Sequence, residues 1–174
     1  VWRSADLELR GRATILKGNL LSAKSATVEQ GKALLTEMSE GPQAKGASPA
    51  QQAEAFMGRA EIAISARSYP EAMRFLGAAV ALVPQNRALR VRAVEFAIRL
   101  REYTVAREHA KALLALVPED PDGTIGLARA KMGTRDTLGA YTDRQQALKK
   151  QPDNAPLNFW FGVPAKELGQ GAEA

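Results

Sequence analysis

Apolar and polar residues recur with helical spacing through the middle of the chain, and short polar breaks divide this pattern into segments of similar length. Three first segments are rich in residues that favour helix: residues 53–66, 87–100 and 121–133. Three second segments have the same character: residues 70–83, 104–117 and 137–150. Short breaks, for example at Arg67-Ser68, separate the two members of each pair. The pattern predicts three helical hairpins.

Particular residue types recur at one constant interval along the chain, once in each hairpin. Prolines end the three second helices at positions 84, 118 and 152, since proline lacks an N–H and restricts the residue before it. Alanines keep the same step at Ala72, Ala106 and Ala140, and tyrosines keep it at Tyr69 and Tyr103. Because alanine side chains are small, we expect a neighbouring helix to approach closely at these positions. Several residue types holding one period indicate an internal repeat.

This pattern resembles the tetratricopeptide repeat (TPR) family, whose helix–turn–helix unit has the same period. The best match is residues 53–86, and residues 87–120 and 121–154 follow in register. Matching residues in the first unit are Phe56, Ala60, Tyr69, Ala72, Ala79 and Pro84. The chain departs from the family pattern at three positions where the family buries an apolar side chain: Arg59, Arg90 and Arg144. Either these arginines bury their aliphatic carbons and keep the guanidinium in solvent, or their repeats are packed less tightly than the family consensus. The resemblance implies an all-α, right-handed solenoid of stacked hairpins.

The flanking segments are less regular. Residues 1–39 are expected to form an N-terminal helical hairpin, a degenerate repeat, in which GKALLTEM is similar to AKALLALV at 110–117. Residues 40–52 are rich in Gly, Pro, Ser and Gln and predict a linker, with Ser48 as N-cap of the next helix. Residues 155–170, with Phe159, Trp160 and Phe161, predict either a capping helix or the first helix of a truncated repeat. Residues 171–174 are expected to be a disordered tail.

Composition and charge exclude several function classes. The 174 residues contain no cysteine and one histidine, so thiolate zinc sites and cysteine nucleophiles are excluded. No apolar run is long enough to cross a membrane. The net charge of +5 is spread: residues 1–52 have 7 basic and 5 acidic side chains, residues 53–120 have 10 and 8, and residues 121–174 have 7 and 6. Such mixing is typical of solvated helix surfaces rather than of a nucleic-acid footprint.

No catalytic constellation emerges from the sequence. There is no phosphate-binding glycine loop and no metalloprotease, hydrolase or EF-hand motif. His109 lies on a predicted helix without a convincing nucleophile, and we interpret it as an ordinary surface or partly buried side chain. Glu119 and Asp120 are interpreted as turn and N-cap residues. The sequence therefore predicts neither an enzyme nor a cofactor or metal site.

The resemblance implies that the first helix of each unit lines a concave groove that binds a partner. Three groups of groove residues follow from the register: Met57, Val91 and Ile125; then Ile64, Ile98 and Met132; and between them Glu61, Glu95 and Arg129. Glu54 and Asp122 are expected at the rim. The expected partner is an amphipathic helix or extended peptide with apolar and basic residues. The competing interpretations are that these side chains pack between adjacent first helices, or that the N-terminal helix fills the groove.

The hypothesis is therefore a non-enzymatic protein-interaction scaffold, with an RNA-binding helical repeat as the alternative. The alternative rests on a pI of 9.7 and on Arg87, Arg90, Arg92 and Arg99. Chaperone-tail relatives use Lys, Asn and Arg where this chain has Met57, Glu61 and Arg92, so that specificity is not expected. Terminal repeats could also self-associate. An Ala-, Arg- and Gly-rich composition suggests a bacterial source, and the resemblance to TPR arrays implies a module of an envelope, secretion or motility assembly. The chain looks like a fragment without a signal peptide, and cytoplasm and periplasm both remain open.

Overall fold

The computed structural model describes the backbone of residues 2–167 and the side chains of residues 5–161. This part of the chain contains nine α-helices and no strand. The helices are α1 Trp2–Ser22, α2 Val28–Ser39, α3 Pro49–Ser65, α4 Tyr69–Leu82, α5 Arg87–Arg99, α6 Tyr103–Leu116, α7 Pro121–Gly133, α8 Thr137–Lys150 and α9 Ala155–Glu167. Short 3-10 helices span Ser25–Thr27 and Pro42–Gly46. The predicted all-α class is confirmed, and successive helices pack as hairpins.

The chain divides into two compact units, Val1–Pro84 and Gln85–Ala174. We call them unit 1, which contains α1 to α4, and unit 2, which contains α5 to α9. The boundary follows Pro84, the first of the three evenly spaced prolines. Within residues 2–167, no helix combines the length and apolar character that crossing a bilayer requires.

The turn between the two helices of a hairpin has the same backbone conformation in all three repeats. Arg67, Arg101 and Arg135 have φ values of 59°, 61° and 64°. The amide of the following residue then donates back into the first helix: Ser68 N–H to Ala63 O at 2.8 Å, Glu102 N–H to Ala97 O at 2.8 Å and Asp136 N–H to Lys131 O at 2.9 Å. This is the Schellman arrangement, which satisfies carbonyls that a helix end would otherwise leave without a partner. The predicted breaks therefore coincide with these turns.

Side-chain caps set where several helices begin. Ser48 accepts a hydrogen bond from Gln51 N–H, and the Gln51 side chain accepts one from Ser48 N–H, which forms a capping box. Pro49 is then the first helical residue, where its missing N–H does no harm. The predicted linker 40–52 is accordingly wrong over its last four residues, which are helical, and Pro42–Gly46 is a 3-10 helix. Asp120 caps α7, as expected.

Unit 1 is held by close packing of small residues and by one nearly buried arginine. A Cβ added at Gly18 of α1 would lie 2.9 Å from Leu35 Cγ of α2, so these helices approach more closely than larger residues allow. Arg59 lies 2.7 Å from Glu40, donates to Ser39 Oγ at 2.8 Å and stacks 4.0 Å above the Phe75 ring. Its departure from the family pattern is thus compensated by ionic, polar and aromatic contacts.

Unit 2 has two small cores that involve the periodic alanines. Ala106 packs with Ala97 and Ala130, and Ala140 packs with a cluster that includes Ile125 and Phe161. Ala106 and Ala140 are fully buried, as the close-approach argument predicts. Each core therefore joins a first helix to a second helix, and Phe161 of α9 extends the second core beyond the last predicted repeat.

Candidate partner-binding face

Three first helices of unit 2 pack in order, with α5 against α7 and α7 against α9. These helices carry several predicted groove residues, and they define the candidate site. We call the surface that bears Val91, Glu95, Ile98, Arg129, Met132, Phe159 and Trp160 the unit 2 face. The predicted residues Met57, Glu61 and Ile64 belong to α3 in unit 1.

Two of the predicted groove residues are interior residues, which corrects the expectation. Met57 is fully buried in unit 1. Ile125 is buried in a cluster with Leu157 and Phe161 of α9. For Ile125 the competing interpretation is correct, because neighbouring first helices use this position to pack against each other. Neither side chain offers surface to a partner.

The other apolar members of the rows are half-buried. Ile98 packs at the edge of the Ala97, Ala106 and Ala130 cluster. Met132 packs against the Ile125 cluster. Val91 and Ile64 are also partly accessible, each in its own unit. These side chains are therefore supported from below and still present part of their surface to solvent.

The charged positions differ from one another in their surroundings. Glu61 and Glu95 are exposed, and Glu61 already has a partner. Arg129 is half-buried, and its guanidinium carbon lies 4.5 Å above the Trp160 ring. This is a cation–π contact, which draws α7 and α9 together at the surface.

An exposed aromatic pair on α9 was not assigned to the site by sequence reasoning. Phe159 is 76% exposed and Trp160 is 39% exposed. Their rings meet edge to face at 5.8 Å. The sequence contains a signal for Phe159. It follows Ile125 by the same number of residues that separates Met57, Val91 and Ile125, so it occupies the same position in the repeat. The aromatic stretch was recognised from the sequence but was not assigned to that position.

The rim carboxylate of unit 2 already has a cationic partner. Asp122 accepts from Arg87 Nη2 at 2.7 Å, and Asp120 accepts from Arg87 Nε at 2.6 Å. These hydrogen bonds raise the pKa of Arg87 above its ordinary value. Asp122 therefore shares its arginine with Asp120, and the three groups together keep one negative charge at the rim.

Comparison with known proteins gives structural likeness and no sequence relative. No protein-family model and no curated protein matches the chain. A structure of MamA from AMB-1 superposes with a TM-score of 0.60 at 15% identity, covering 95% of this chain and 86% of that one. YrrB, described as a TPR protein with an unusual peptide-binding site, gives 0.58 at 17% identity over 90% and 76%. The Arabidopsis OM64 TPR domain gives 0.54 at 14% identity over 68% and 98%.

The chain has a TPR fold. At these identities the likeness establishes the fold and nothing finer. The unit 2 face is formed by the first helices of consecutive hairpins. The repeat register in the sequence predicts the same role for α5 and α7. The helix α9 extends this series by one first helix.

The single histidine is part of the packing between α5 and α6. His109 Nδ1 lies 3.3 Å from Arg90 Nη1. Burial lowers the pKa of His109, and the nearby Arg90 charge lowers it further. The neutral ring accepts a hydrogen bond from Arg90, so its Nδ1 lone pair is occupied. Among the described residues, no three His, Cys, Asp or Glu side chains cluster as metal ligands would.

Proposed function

We propose that this chain is a non-enzymatic protein-interaction scaffold whose unit 2 face binds a helix or extended segment of a partner protein. The observation that carries the proposal is the exposed Phe159 and Trp160 pair on α9, a helix that meets α7 through Arg129 and through the cluster against which Met132 packs. Exposed aromatic residues next to an apolar surface are typical of partner sites, since aromatic anchors supply most of the binding energy at such surfaces.

The contacts of Trp160 support the same proposal. Trp160 is held from one side by Arg129 and from another by Phe159, so little side-chain freedom would be lost on binding. A face that is already ordered needs no rearrangement to accept a ligand. Phe159 extends from this support with most of its ring accessible, and we propose it as the central anchor.

The chemistry of the partner segment follows from the charges on the face. Glu95 is exposed on α5 and would favour a lysine or arginine, mainly through orientation and association rate. Arg129 is occupied by Trp160, and Asp122 is occupied by Arg87. We therefore propose an apolar segment with a single basic residue, a weaker charge preference than the sequence alone suggested.

The arginines that suggested RNA binding are engaged in contacts within the protein. Arg87 pairs with Asp120 and Asp122, and Arg90 meets His109. Arg99 stacks 4.8 Å above Phe96, and Arg92 also has a partner. Arginines that are engaged in this way are poor phosphate ligands, and no other observation favours RNA.

The wider role and the domain organisation remain proposals. We propose that residues 1–39 act as a degenerate repeat and that the helix Ala155–Glu167 extends the array. The last residues of the predicted segment 155–170 and the predicted tail 171–174 lie outside the described residues. We also propose a place in a bacterial envelope, secretion or motility assembly, for which the composition supports a bacterial source and the TPR fold supports a scaffold. Self-association through terminal repeats is a competing use of the same aromatic pair, and the experiment below separates the two.

The test uses peptides selected from a display library on the full chain. Fluorescence anisotropy then measures each peptide against Phe159→Ser, Trp160→Ala and Ile98→Glu variants. We expect the first two to weaken binding by about tenfold or more, as anchor residues do. Leu138→Ser is the matched control, because Leu138 is a 75% exposed leucine on the second helix α8.

Three results would reject the proposal. Peptides that bind the Phe159 and Trp160 variants as tightly as the unaltered chain place the site elsewhere. A selection that yields no binder argues against a peptide scaffold. Sedimentation showing a dimer that Phe159→Ser dissolves would assign the aromatic pair to self-association instead.

A further inference from the structure

Helix α1 presents an apolar stripe on the side opposite to its packed side. Gly11, Ile15 and Gly18 are buried and contact α2 and α3 of unit 1. On the other side the stripe consists of Leu9, Ala13, Leu16 and Leu20, and all four are exposed. The three leucines are 62 to 65% exposed. An α-helix that packs through glycines and leaves its leucines in solvent has an unpartnered apolar face.

The spacing of this leucine stripe is that of a coiled-coil seam. Its members are separated by four, three and four residues, which is the d-a-d-a order of a heptad repeat. Such a seam is narrow, and it accommodates the knobs of a single facing helix. A cleft of about 520 Å³ lies beside the stripe, between α1 and α3. Arg12 and Leu16 line this cleft together with two carboxylates, Glu8 of α1 and Glu54 of α3.

The charged residues at the e and g positions that flank the seam are all basic. In this register Arg10 and Lys17 occupy e positions and Arg12 occupies a g position. All three are exposed, and Arg10 is 2.9 Å from Asp6 one turn earlier. Flanking charges of one sign select a partner with the opposite sign, because like charges across a seam repel.

These charges argue against two other occupants. A second copy of α1 would bring basic flanks against basic flanks in either the parallel or the antiparallel orientation. An anionic membrane would be attracted by the lysine and arginines, but the stripe is narrower than the apolar face that an interfacial helix immerses. Asp6 occupies the next seam position before Leu9, and a carboxylate there opposes contact with anionic lipid.

We propose that the leucine stripe of α1 is a second docking surface, which takes an amphipathic helix of a partner with apolar a and d positions and acidic flanks. It lies in unit 1 and is separate from the unit 2 face. The partner helix packs its apolar residues on Leu9, Leu16 and Leu20 and sets its carboxylates against the flanking basic side chains. Its specificity comes from charge, and its affinity comes from burial of the leucines.

The test uses two labelled synthetic helices as long as α1, 21 residues, with the full chain. Both peptides have leucine at a and d positions; one has glutamate at e and g positions, and its twin has lysine there. At low salt we expect the acidic peptide to bind at least tenfold more tightly than its twin, a difference of roughly 1.4 kcal/mol that salt reduces. Arg12→Glu combined with Lys17→Glu should invert the preference.

Variants of the stripe complete the design. Leu16→Asp should weaken binding of the acidic peptide by about tenfold or more. Leu138→Asp, at a leucine of α8 that is 75% exposed, should leave binding unchanged. Circular dichroism melts confirm that each variant is folded. Equal binding of the two peptides, no binding of the acidic peptide, or equal sensitivity to Leu138→Asp would overturn the proposal. So would a dimer, or binding to vesicles of phosphatidylserine, that Leu16→Asp abolishes while the acidic peptide fails to bind.

Discussion

The arginines in the hairpin turns provide a sharp test of the repeat geometry. Arg67, Arg101 and Arg135 have positive φ values near 60°, which is the left-handed helical region. A residue with a Cβ pays roughly 1–2 kcal/mol there, and glycine does not. All three side chains are exposed, so their removal breaks no buried contact. Replacing any one of them with glycine should therefore stabilise the fold.

The expected gain in the free energy of unfolding is smaller than the cost of the left-handed backbone alone. Glycine also gives the unfolded chain extra freedom, which costs roughly 0.4–1 kcal/mol. The net stabilisation expected for Arg101→Gly is about 0.5–1 kcal/mol, which raises the melting temperature of a unit of this size by roughly 2–8 °C. Arg101→Ala keeps the Cβ and should give no such gain.

Urea and thermal unfolding followed by circular dichroism measure these changes, and an identical substitution elsewhere supplies the control. Arg107 is exposed in the interior of α6, where φ is helical. Arg107→Gly should destabilise the fold by about 0.7–1 kcal/mol because glycine is a poor helix former. If Arg101→Gly destabilises as much as Arg107→Gly, the left-handed turn does not carry the strain that we assign to it.

Three further predictions concern pH, capping and packing. Burial lowers the pKa of His109 in the folded state, so the unfolded state takes up the proton first as pH falls, and stability should decrease as pH drops through about 6.5 towards the folded pKa. Melts between pH 8 and pH 5 (roughly the range in which histidine titrates) should show this loss, and His109→Gln should reduce it. Asp120→Ala removes a buried cap and ion pair and should cost about 2–3 kcal/mol in urea unfolding, against about 1 kcal/mol for the exposed cap Asp136→Ala. Gly77→Ala, where the new Cβ meets open space, should stabilise α4 by about 0.5–1 kcal/mol. Gly58→Ala places its Cβ 2.8 Å from Leu35 Cδ1 and should destabilise the fold by about 1–3 kcal/mol.

Each of these predictions has a result that contradicts it. A flat pH profile of stability, or one that the histidine variant leaves unchanged, would show that the ring is not buried as described. Equal losses for the two aspartate variants would mean that the ion pair to Arg87 adds nothing to the cap. A glycine pair that responds in the same direction would indicate that the helices of unit 1 are packed less closely than we infer.

The repeat and its turns were predictable from the sequence because they depend on local chemistry. Prolines at a constant step end helices wherever they occur, and alanines at the same step permit close approach in any stack of hairpins. Ser48 and Asp120 were recognised as caps because a short polar side chain before a helix has one dominant use. These features need only a few neighbouring residues to act.

The candidate sites were less predictable because exposure is a property of packing. Met57, Val91 and Ile125 share one register position, yet Met57 is fully buried, Val91 is partly accessible and Ile125 is covered by Leu157 and Phe161. Which of three equivalent residues remains accessible depends on what the next helix supplies. The register alone cannot distinguish them.

The helical class, the hairpin period and the helix ends follow from the order of amino acids without reference to the fold, since propensity, proline and capping act over a few residues. Which apolar residues face solvent follows instead from how the helices pack. In the packed structure the glycine side of α1 is buried and its leucines are exposed. Arg59 pairs with Glu40, and Arg87 pairs with Asp120. Burial and ion pairing need side chains from distant parts of the chain to meet, and no local pattern specifies those meetings.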